Sequence, residues 1–151
     1  MADRAIALGS DHAGLRLKRE IARHLSERGV ATVDLGTDSE DSVDYPDFAA
    51  AVARAVSIGR QPLGILVCGT GIGMSIAANK IRGARAAVCA NELEARLARA
   101  HNDANVLCLG ERTLGGAVAL AVVDAFLGGA FEGGRHARRL EKIKALEEAD
   151  T

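Results

Sequence analysis

An α/β fold on a five-stranded parallel sheet, with helices covering both faces, is what this sequence predicts, and three observations carry that reading. Five short apolar runs recur along the 151 residues, each the length of a buried strand. Between them lie segments with apolar residues at helical spacing, the pattern of crossover helices in a parallel sheet. Both prolines fall outside these elements: Pro46 opens the second helical segment and Pro62 precedes the third apolar run, positions that tolerate a missing N–H.

The first run, Ala5 to Leu8, is followed by Leu17, Ile21 and Leu25 at i, i+4 spacing, the buried stripe of a helix. Val30 to Val33 is the second strand, and a polar loop from Gly36 to Tyr45 leads into a helix whose inner face is Phe48, Val52 and Val56. Leu63 to Cys68, Ala84 to Cys89 and Asn105 to Leu109 complete the strands, each followed by room for a crossover helix. Leu114 to Leu127 is apolar enough to be a mostly buried helix. Gly128 to Gly134 then breaks the chain, and a charged helix from Arg135 to Glu148 carries Leu140, Ile143 and Leu146 as a narrow stripe. Such a stripe buries little against its own domain, so this helix either stays solvated or packs on a second subunit. No linker, low-complexity tract or internal repeat divides the chain, and residues 1–151 read as one domain.

A chain of this length buries roughly two-thirds of the surface its unfolded form exposes, so it needs no disulfide or metal staple. The 48% hydrophobic content includes no Trp, one Tyr and three Phe, which predicts an aliphatic core and no aromatic platform for stacking bases. Nineteen basic residues against 20 acidic ones leave a formal charge of −1, so broad electrostatic binding to nucleic acid is not expected. Cys68, Cys89 and Cys108 are widely spaced and form no C-x-x-C pair, which argues against a disulfide framework and a zinc knuckle and for a reducing cytoplasm. The apolar run after Met1-Ala2-Asp3-Arg4 is too short for a signal peptide, and no stretch has the roughly 20 apolar residues of a membrane span. A soluble, cytoplasmic protein is the expectation.

Ligands of open parallel sheets bind beyond the carboxyl ends of the strands, which makes the polar residues there the candidates. Gly9-Ser10-Asp11-His12-Ala13-Gly14 follows the first strand and Cys68-Gly69-Thr70-Gly71-Ile72-Gly73 the third. His101-Asn102 precedes the fifth strand, Gly110-Glu111-Arg112 follows it, and the Gly36 to Tyr45 loop can reach the same edge. Cys68 stands where an apolar run breaks into a glycine-rich turn, whose backbone N–H groups favour an anion such as an oxyanion or a thiolate. By itself this is compatible with a nucleophile, a ligand or a base. Cys89 and Cys108 lie inside strand patterns and read as small core residues, and His24 reads as surface. Taken singly, His101 reads as structural as readily as catalytic, and Asp11-His12 as a helix cap. Gly69, Gly71 and Gly73 with Glu92 about 20 residues on resemble a dinucleotide fingerprint, which admits a non-catalytic nucleotide-binding module. Against it, the third glycine comes one residue early and the motif lies mid-chain with no separate substrate domain. Arg135 and Arg139, four apart on one helical face, suit a phosphate, with a solvated charged face as the plain alternative.

Together, Gly9 to Gly14, Asp44-Tyr45-Pro46, Cys68 to Lys80, His101-Asn102-Asp103-Ala104-Asn105 and Glu132-Gly133-Gly134-Arg135-His136 strongly resemble ribose-5-phosphate isomerase type B, of the ribose/galactose isomerase family, over essentially the whole chain. The resemblance implies a Rossmann-like three-layer α/β/α sandwich that assembles as a homodimer or homotetramer, with active sites shared between subunits. It implies cofactor-free and metal-free aldose–ketose isomerisation of a sugar phosphate. Ribose 5-phosphate is the expected substrate; allose 6-phosphate, galactose 6-phosphate and a tetrulose phosphate are the alternatives. By similarity, Cys68 is the base that moves a proton between C2 and C1, with Thr70 and the amides of Gly69, Gly71 and Gly73 around the enediolate. His101 would open the furanose ring with help from Asp11, and Asn102 would bind a substrate oxygen. His12, Arg112, Arg135 and Arg139 would hold the phosphate, and Tyr45 would line the sugar pocket. Met74 stands where some relatives carry a glutamate base, so the resemblance implies the thiolate version. An inert subunit of a hetero-oligomer is a further family possibility, against which Cys68, Thr70, His101 and the three arginines count.

Overall fold

Residues 4–149 are described in a computed structural model, whose five strands are all parallel and ordered β2-β1-β3-β5-β4. In chain order the elements are β1 (Ile6–Ser10), α1 (Leu15–Glu27), β2 (Thr32–Asp34), α2 (Tyr45–Ser57), β3 (Gly64–Cys68), α3 (Ile72–Ala78), β4 (Ala86–Val88), α4 (Glu92–Asn102), β5 (Val106–Gly110), α5 (Gly116–Leu127) and α6 (Arg135–Ala149). A 3-10 turn, His12–Gly14, links β1 to α1.

Strand alternation divides the core into two halves. Ile6, Leu8, Ile65, Val67, Leu107 and Leu109 pack against α1, α4 and α5. Ala7, Leu66, Cys68 and Cys108 face α2 and α3. Leu17, Ile21 and Leu25 of α1 are at most 4% exposed, and burying each such side chain contributes about 1.5–3 kcal/mol. The expected sandwich is therefore present. Its central strands are buried throughout, whereas β2 and β4 are three-residue edge strands that pair on one side only.

Several boundaries differ from the sequence pattern for identifiable reasons. β1 runs on through Gly9 and Ser10, weak strand formers, because both keep register with Leu66 and Val67 of β3. β2 and β4 are shorter than their apolar runs, since an edge strand has one partner to extend along. α5 starts at Gly116 rather than Leu114, with the Ala119 N–H bonded to the Gly115 carbonyl. α4 opens on a side-chain cap: Asn91 accepts from the Glu94 N–H at 2.9 Å, and Glu94 reaches back to accept from the Ala90 N–H at 2.9 Å. His24 is tied down rather than free at the surface, its Nε2 lying 2.8 Å from Asp124 Oδ1 and joining α1 to α5. Among the described residues no helix is long and apolar enough to cross a membrane.

From β1 the chain moves outward to β2 and then returns to β3 on the other side of β1. That reversal opens a crevice between the carboxyl ends of β1 and β3, the position where α/β sheets take ligands.

Candidate active site

The carboxyl ends of β1, β3 and β5 come together through the pairs Ser10 with Val67 and Cys68 with Gly110. Cys68 ends β3 with 5% of its surface exposed, and its Sγ accepts the Gly71 N–H at 3.1 Å. Gly71 has φ +81°, and a Cβ on it would lie 3.0 Å from the Leu109 carbonyl carbon. Both the left-handed conformation and the close approach exclude a side chain there. The helix behind this turn, α3, is only seven residues long, so amides of the turn itself, more than a long macrodipole, present the positive potential. Thr70 is exposed at the mouth of the turn, its Oγ1 accepting the Ile72 N–H at 3.2 Å.

Two backbone bonds strap the following loop to this turn: Glu111 N–H to the Cys68 carbonyl and Arg112 N–H to the Gly69 carbonyl, each 2.9 Å. The Glu111 carboxylate accepts the Leu17 N–H at 2.7 Å, fixing the loop to α1. The Arg112 guanidinium consequently lies over Gly69, where a Cβ would sit 3.3 Å from Nη1. Tyr45, first residue of α2, lays its ring against Gly73 so closely that a Cβ there would be 2.6 Å from Cζ.

Asp11 is a buried cap: its Oδ1 accepts the N–H groups of Ala13 at 3.0 Å and Gly14 at 3.1 Å. His12 Nδ1 accepts the Val43 N–H at 3.1 Å, which leaves Nε2 to carry the ring proton and donate. The loop that brings Val43 and Tyr45 here is anchored by Lys18, which is 1% exposed and donates to Asp34 at 2.8 Å and to the Thr37 carbonyl. The other thiols are kept neutral. Burial, and secondarily Glu94, pushes Cys89 up to about 11. Complete burial pushes Cys108 far above the ordinary thiol range.

The remaining candidates occupy the opposite edge. α4 leaves the carboxyl end of β4 and returns to the amino end of β5, so His101 and Asn102, its last two residues, lie at the amino edge. That is a strand length from Cys68, about 16 Å over five residues. α6 starts beside them: the His101 and His136 rings stack at 4.2 Å with 13° between planes. Arg135 and Arg139, exposed on α6, share this edge. Within one chain, Asp11, His12, Tyr45, Cys68, Thr70, Gly69, Gly71, Gly73 and Arg112 therefore meet, and His101, Asn102, Arg135 and Arg139 form a second group apart from them. Ligand atoms of His101, Glu132 and His136 lie within 4.8 Å of one another. The near-parallel rings aim their lone pairs side by side rather than at one point, so as placed the trio is a stack and not a coordination shell.

Residues 6–143 match the model of the ribose/galactose isomerase family. The chain belongs to that family. It is 53% identical over 143 residues to ribose-5-phosphate isomerase B of Escherichia coli (strain K12), covering 95% of this chain and 96% of the relative. Among solved structures, the ribose-5-phosphate isomerase B of Clostridium thermocellum superposes with a TM-score of 0.96 at 54% identity, covering 97% of this chain and 99% of that one. The Mycoplasma genitalium ribose-5-phosphate isomerase B, solved with bound ribulose-5-phosphate, does so at 0.93 and 46% identity, covering 98% of this chain and 99% of that one.

In this ribose/galactose isomerase chain, four contributors to the two groups have contacts that the sequence does not reveal. Lys18 carries no sequence signal, because a lysine between Leu17 and Arg19 on an amphipathic helix reads as solvated. Glu111 was one polar residue in a loop, and its bond to Leu17 spans 94 positions. Glu132 and His136 sit inside the recognised motif but show their partner, His101, only once α6 is placed against α4.

Proposed function

We propose that this protein interconverts ribose 5-phosphate and ribulose 5-phosphate, at an active site assembled from the carboxyl edge of one copy and the amino edge of another. One observation carries the reading most directly: the Gly71 N–H hydrogen bond to Cys68 Sγ at 3.1 Å, which pairs a candidate base with a backbone donor beside it. The names of the relatives above point to the same pair of sugars.

His12 and Arg112 of one copy, with Arg135 and Arg139 of the other, hold the phosphate. Binding at that unreacting end positions C1 and C2. His101 delivers a proton to the furanose ring oxygen as its bond to C1 breaks, and the anomeric hydroxyl proton departs toward Asp11, leaving the aldehyde. The Cys68 thiolate then takes the proton from C2; the electron pair forms the C1–C2 double bond and the negative charge moves to O1. Amides of the Gly69 to Gly73 turn and the Thr70 hydroxyl stabilise that enediolate, an arrangement typically worth a few kcal/mol per donor. The Cys68 thiol returns the proton to C1, the O2 hydroxyl proton passes to O1, and C2 becomes the ketone. Asn102 binds a substrate hydroxyl, and the Tyr45 ring forms the wall above Gly73.

A second copy of the chain as partner is supported by what α6 leaves uncovered. Leu140 is half-buried, whereas Ile143 is 44% and Leu146 69% exposed. The latter two line a groove of about 750 Å³ with Asn79, Ala86 and Asn102, against edge strand β4 and away from Cys68. A homodimer or homotetramer closing over this surface brings the amino edge of one copy to the carboxyl edge of the next.

Turnover of ribose 5-phosphate, allose 6-phosphate, galactose 6-phosphate and erythrulose 4-phosphate, measured side by side, tests the substrate. The expected result is a kcat/KM for ribose 5-phosphate at least about tenfold above the others. A higher value for any other sugar overturns it.

A further inference from the structure

We propose that Lys18 is a positioning residue for the phosphate subsite: its buried ammonium fixes the loop between β2 and α2, and that loop, through the Val43 N–H, holds the His12 ring with its Nε2–H toward the phosphate. This rests on the isomerase reading above, in which His12 binds that group.

Lys18 lies in the inner row of α1 and is buried there with Leu17, Ile21 and Leu25. Burying an ammonium costs several kcal/mol unless its partners replace what water supplied, and an apolar side chain of equal length fills the same space without that cost. Packing alone therefore does not account for a lysine here. What the charge adds is direction, because hydrogen bonds from an ionised donor are the strong ones. The ammonium donates to Asp34 Oδ1, at the end of β2, at 2.8 Å and to the Thr37 carbonyl. Asp34 Oδ1 also accepts the Gly36 N–H at 2.9 Å, so one buried cation gathers both sides of the bend. β1 holds the same bend: the Leu35 N–H donates to the Leu8 carbonyl at 2.7 Å and the Thr37 N–H to the Ser10 carbonyl at 3.1 Å. A Cβ on Gly36 would collide with the Ser10 nitrogen, so the two backbones run in close contact.

Past Thr37 the loop is mostly exposed and shaped by short local bonds, Ser39 N–H to Thr37 Oγ1 at 3.4 Å and Asp41 N–H to Ser39 Oγ at 3.1 Å. Arg19, next to Lys18 on α1, donates to the Asp38 carbonyl at 3.0 Å. The loop then returns to the end of β1, where the Val43 N–H donates to His12 Nδ1 at 3.1 Å. A histidine ring turns readily about χ2, since rotation about an sp3–sp2 bond has shallow wells. With Nδ1 held by Val43, turning the ring breaks a hydrogen bond, and Nε2 stays aimed outward. The place of Val43 depends in turn on where the loop is fastened at Asp34 and Thr37. Releasing that grip frees the His12 ring and weakens binding at the unreacting end of the sugar, while the Cys68 turn is untouched.

The test reads phosphate binding with and without His12. In Lys18→Met, which keeps the length and removes the donors, KM for ribose 5-phosphate is expected to rise about tenfold with kcat changed much less. The dissociation constant for inorganic phosphate, measured by titration calorimetry, is expected to rise by a similar factor. Neither quantity is expected to move further when the same substitution is made in His12→Ala protein, because the group through which Lys18 acts is already gone. A purely structural lysine instead lowers thermal stability and leaves phosphate affinity as it was, or weakens it equally with and without His12; either result overturns the proposal. Asp34→Asn, at the half-exposed partner, loosens the same grip without emptying a buried site and is expected to raise KM and the phosphate dissociation constant about threefold. If Lys18→Met does not fold, Asp34→Asn decides, and unchanged values there overturn the proposal. Wild-type protein that turns over no sugar phosphate yet binds inorganic phosphate in this Lys18-dependent way marks failure of the isomerase reading alone; wild-type protein that binds none overturns both.

Discussion

At the carboxyl edge of the sheet, Cys68 is nearly inaccessible and hydrogen-bonded by its own turn, and Asp11, His12 and Arg112 are each fastened by backbone bonds. At the amino edge, Asn102, Arg135 and Arg139 stand exposed on helix ends, and only the His101–His136 stack is ordered by packing. The difference is one of how each half is held. The first is shaped by the core of a single chain and is preorganised, as groups that stabilise a transition state must be. The second consists of long cationic side chains in solvent, which lose little entropy until a phosphate and a facing surface fix them. A reaction site made from both halves requires a second copy to bring them together.

That division of labour is broken most severely at Cys68. Replacing it with Ala is expected to lower isomerase turnover at least about a thousandfold, since the base proposed above is lost, while the thermal unfolding midpoint stays close to wild type. His101→Ala is expected to be inactive on ribose 5-phosphate for a different reason, and this gives the sharpest test of sharing. Mixing the two inactive proteins under conditions that exchange subunits should restore about a quarter of wild-type activity, because half of the resulting dimers are mixed and each has one intact site. No recovery on exchange would place both groups in the same chain's site and end the two-copy account.

Smaller effects distinguish the halves further. Arg139→Ala should raise KM for ribose 5-phosphate about tenfold with a lesser change in kcat, the signature of lost binding at the unreacting phosphate; an unchanged KM removes Arg139 from the site. Gly73→Ala, which puts a methyl where the Tyr45 ring now lies, is expected to lower kcat/KM about fivefold by displacing that ring, without loss of helix stability, as urea unfolding would register. The mildest effect is on pH. His136 is held below its ordinary 6.5, so the unfolded chain takes up its proton first. Stability at the amino edge is accordingly present above 6.5, declines as pH falls through that value and levels off below the folded value. Urea midpoints between pH 7 and 5 should show this decline, and it should be reduced in His136→Phe.

Much of the frame was readable before the structure. Short apolar runs located all five strands, and apolar residues at helical spacing located the stripes of α1, α2 and α6, because burial is recorded in the local pattern of the sequence. α3 and α4 were anticipated only as spaces for crossovers: α3 is seven residues long, and the buried residues of α4 are Ala95 and Ala98, whose small side chains give little periodic contrast. The Cys68 turn was legible from its glycines, and the resemblance supplied His101, Asn102, Arg135 and Arg139 without saying where they stand. Lys18, Glu111 and the His101–His136 stack were illegible, since each acts through a partner that local pattern does not encode.

By itself, then, the sequence determined that helices alternate with buried parallel strands and that a thiol sits at the head of a glycine turn, because periodicity and turn chemistry depend on neighbours in the chain. Only the tertiary structure decided the order β2-β1-β3-β5-β4, the crevice beside β1 and β3, and the placement of Cys68 and His101 at opposite edges of one sheet. The reason is physical: a residue's pattern records which face it buries, whereas the edge it reaches depends on the direction in which each crossover packs back onto the sheet.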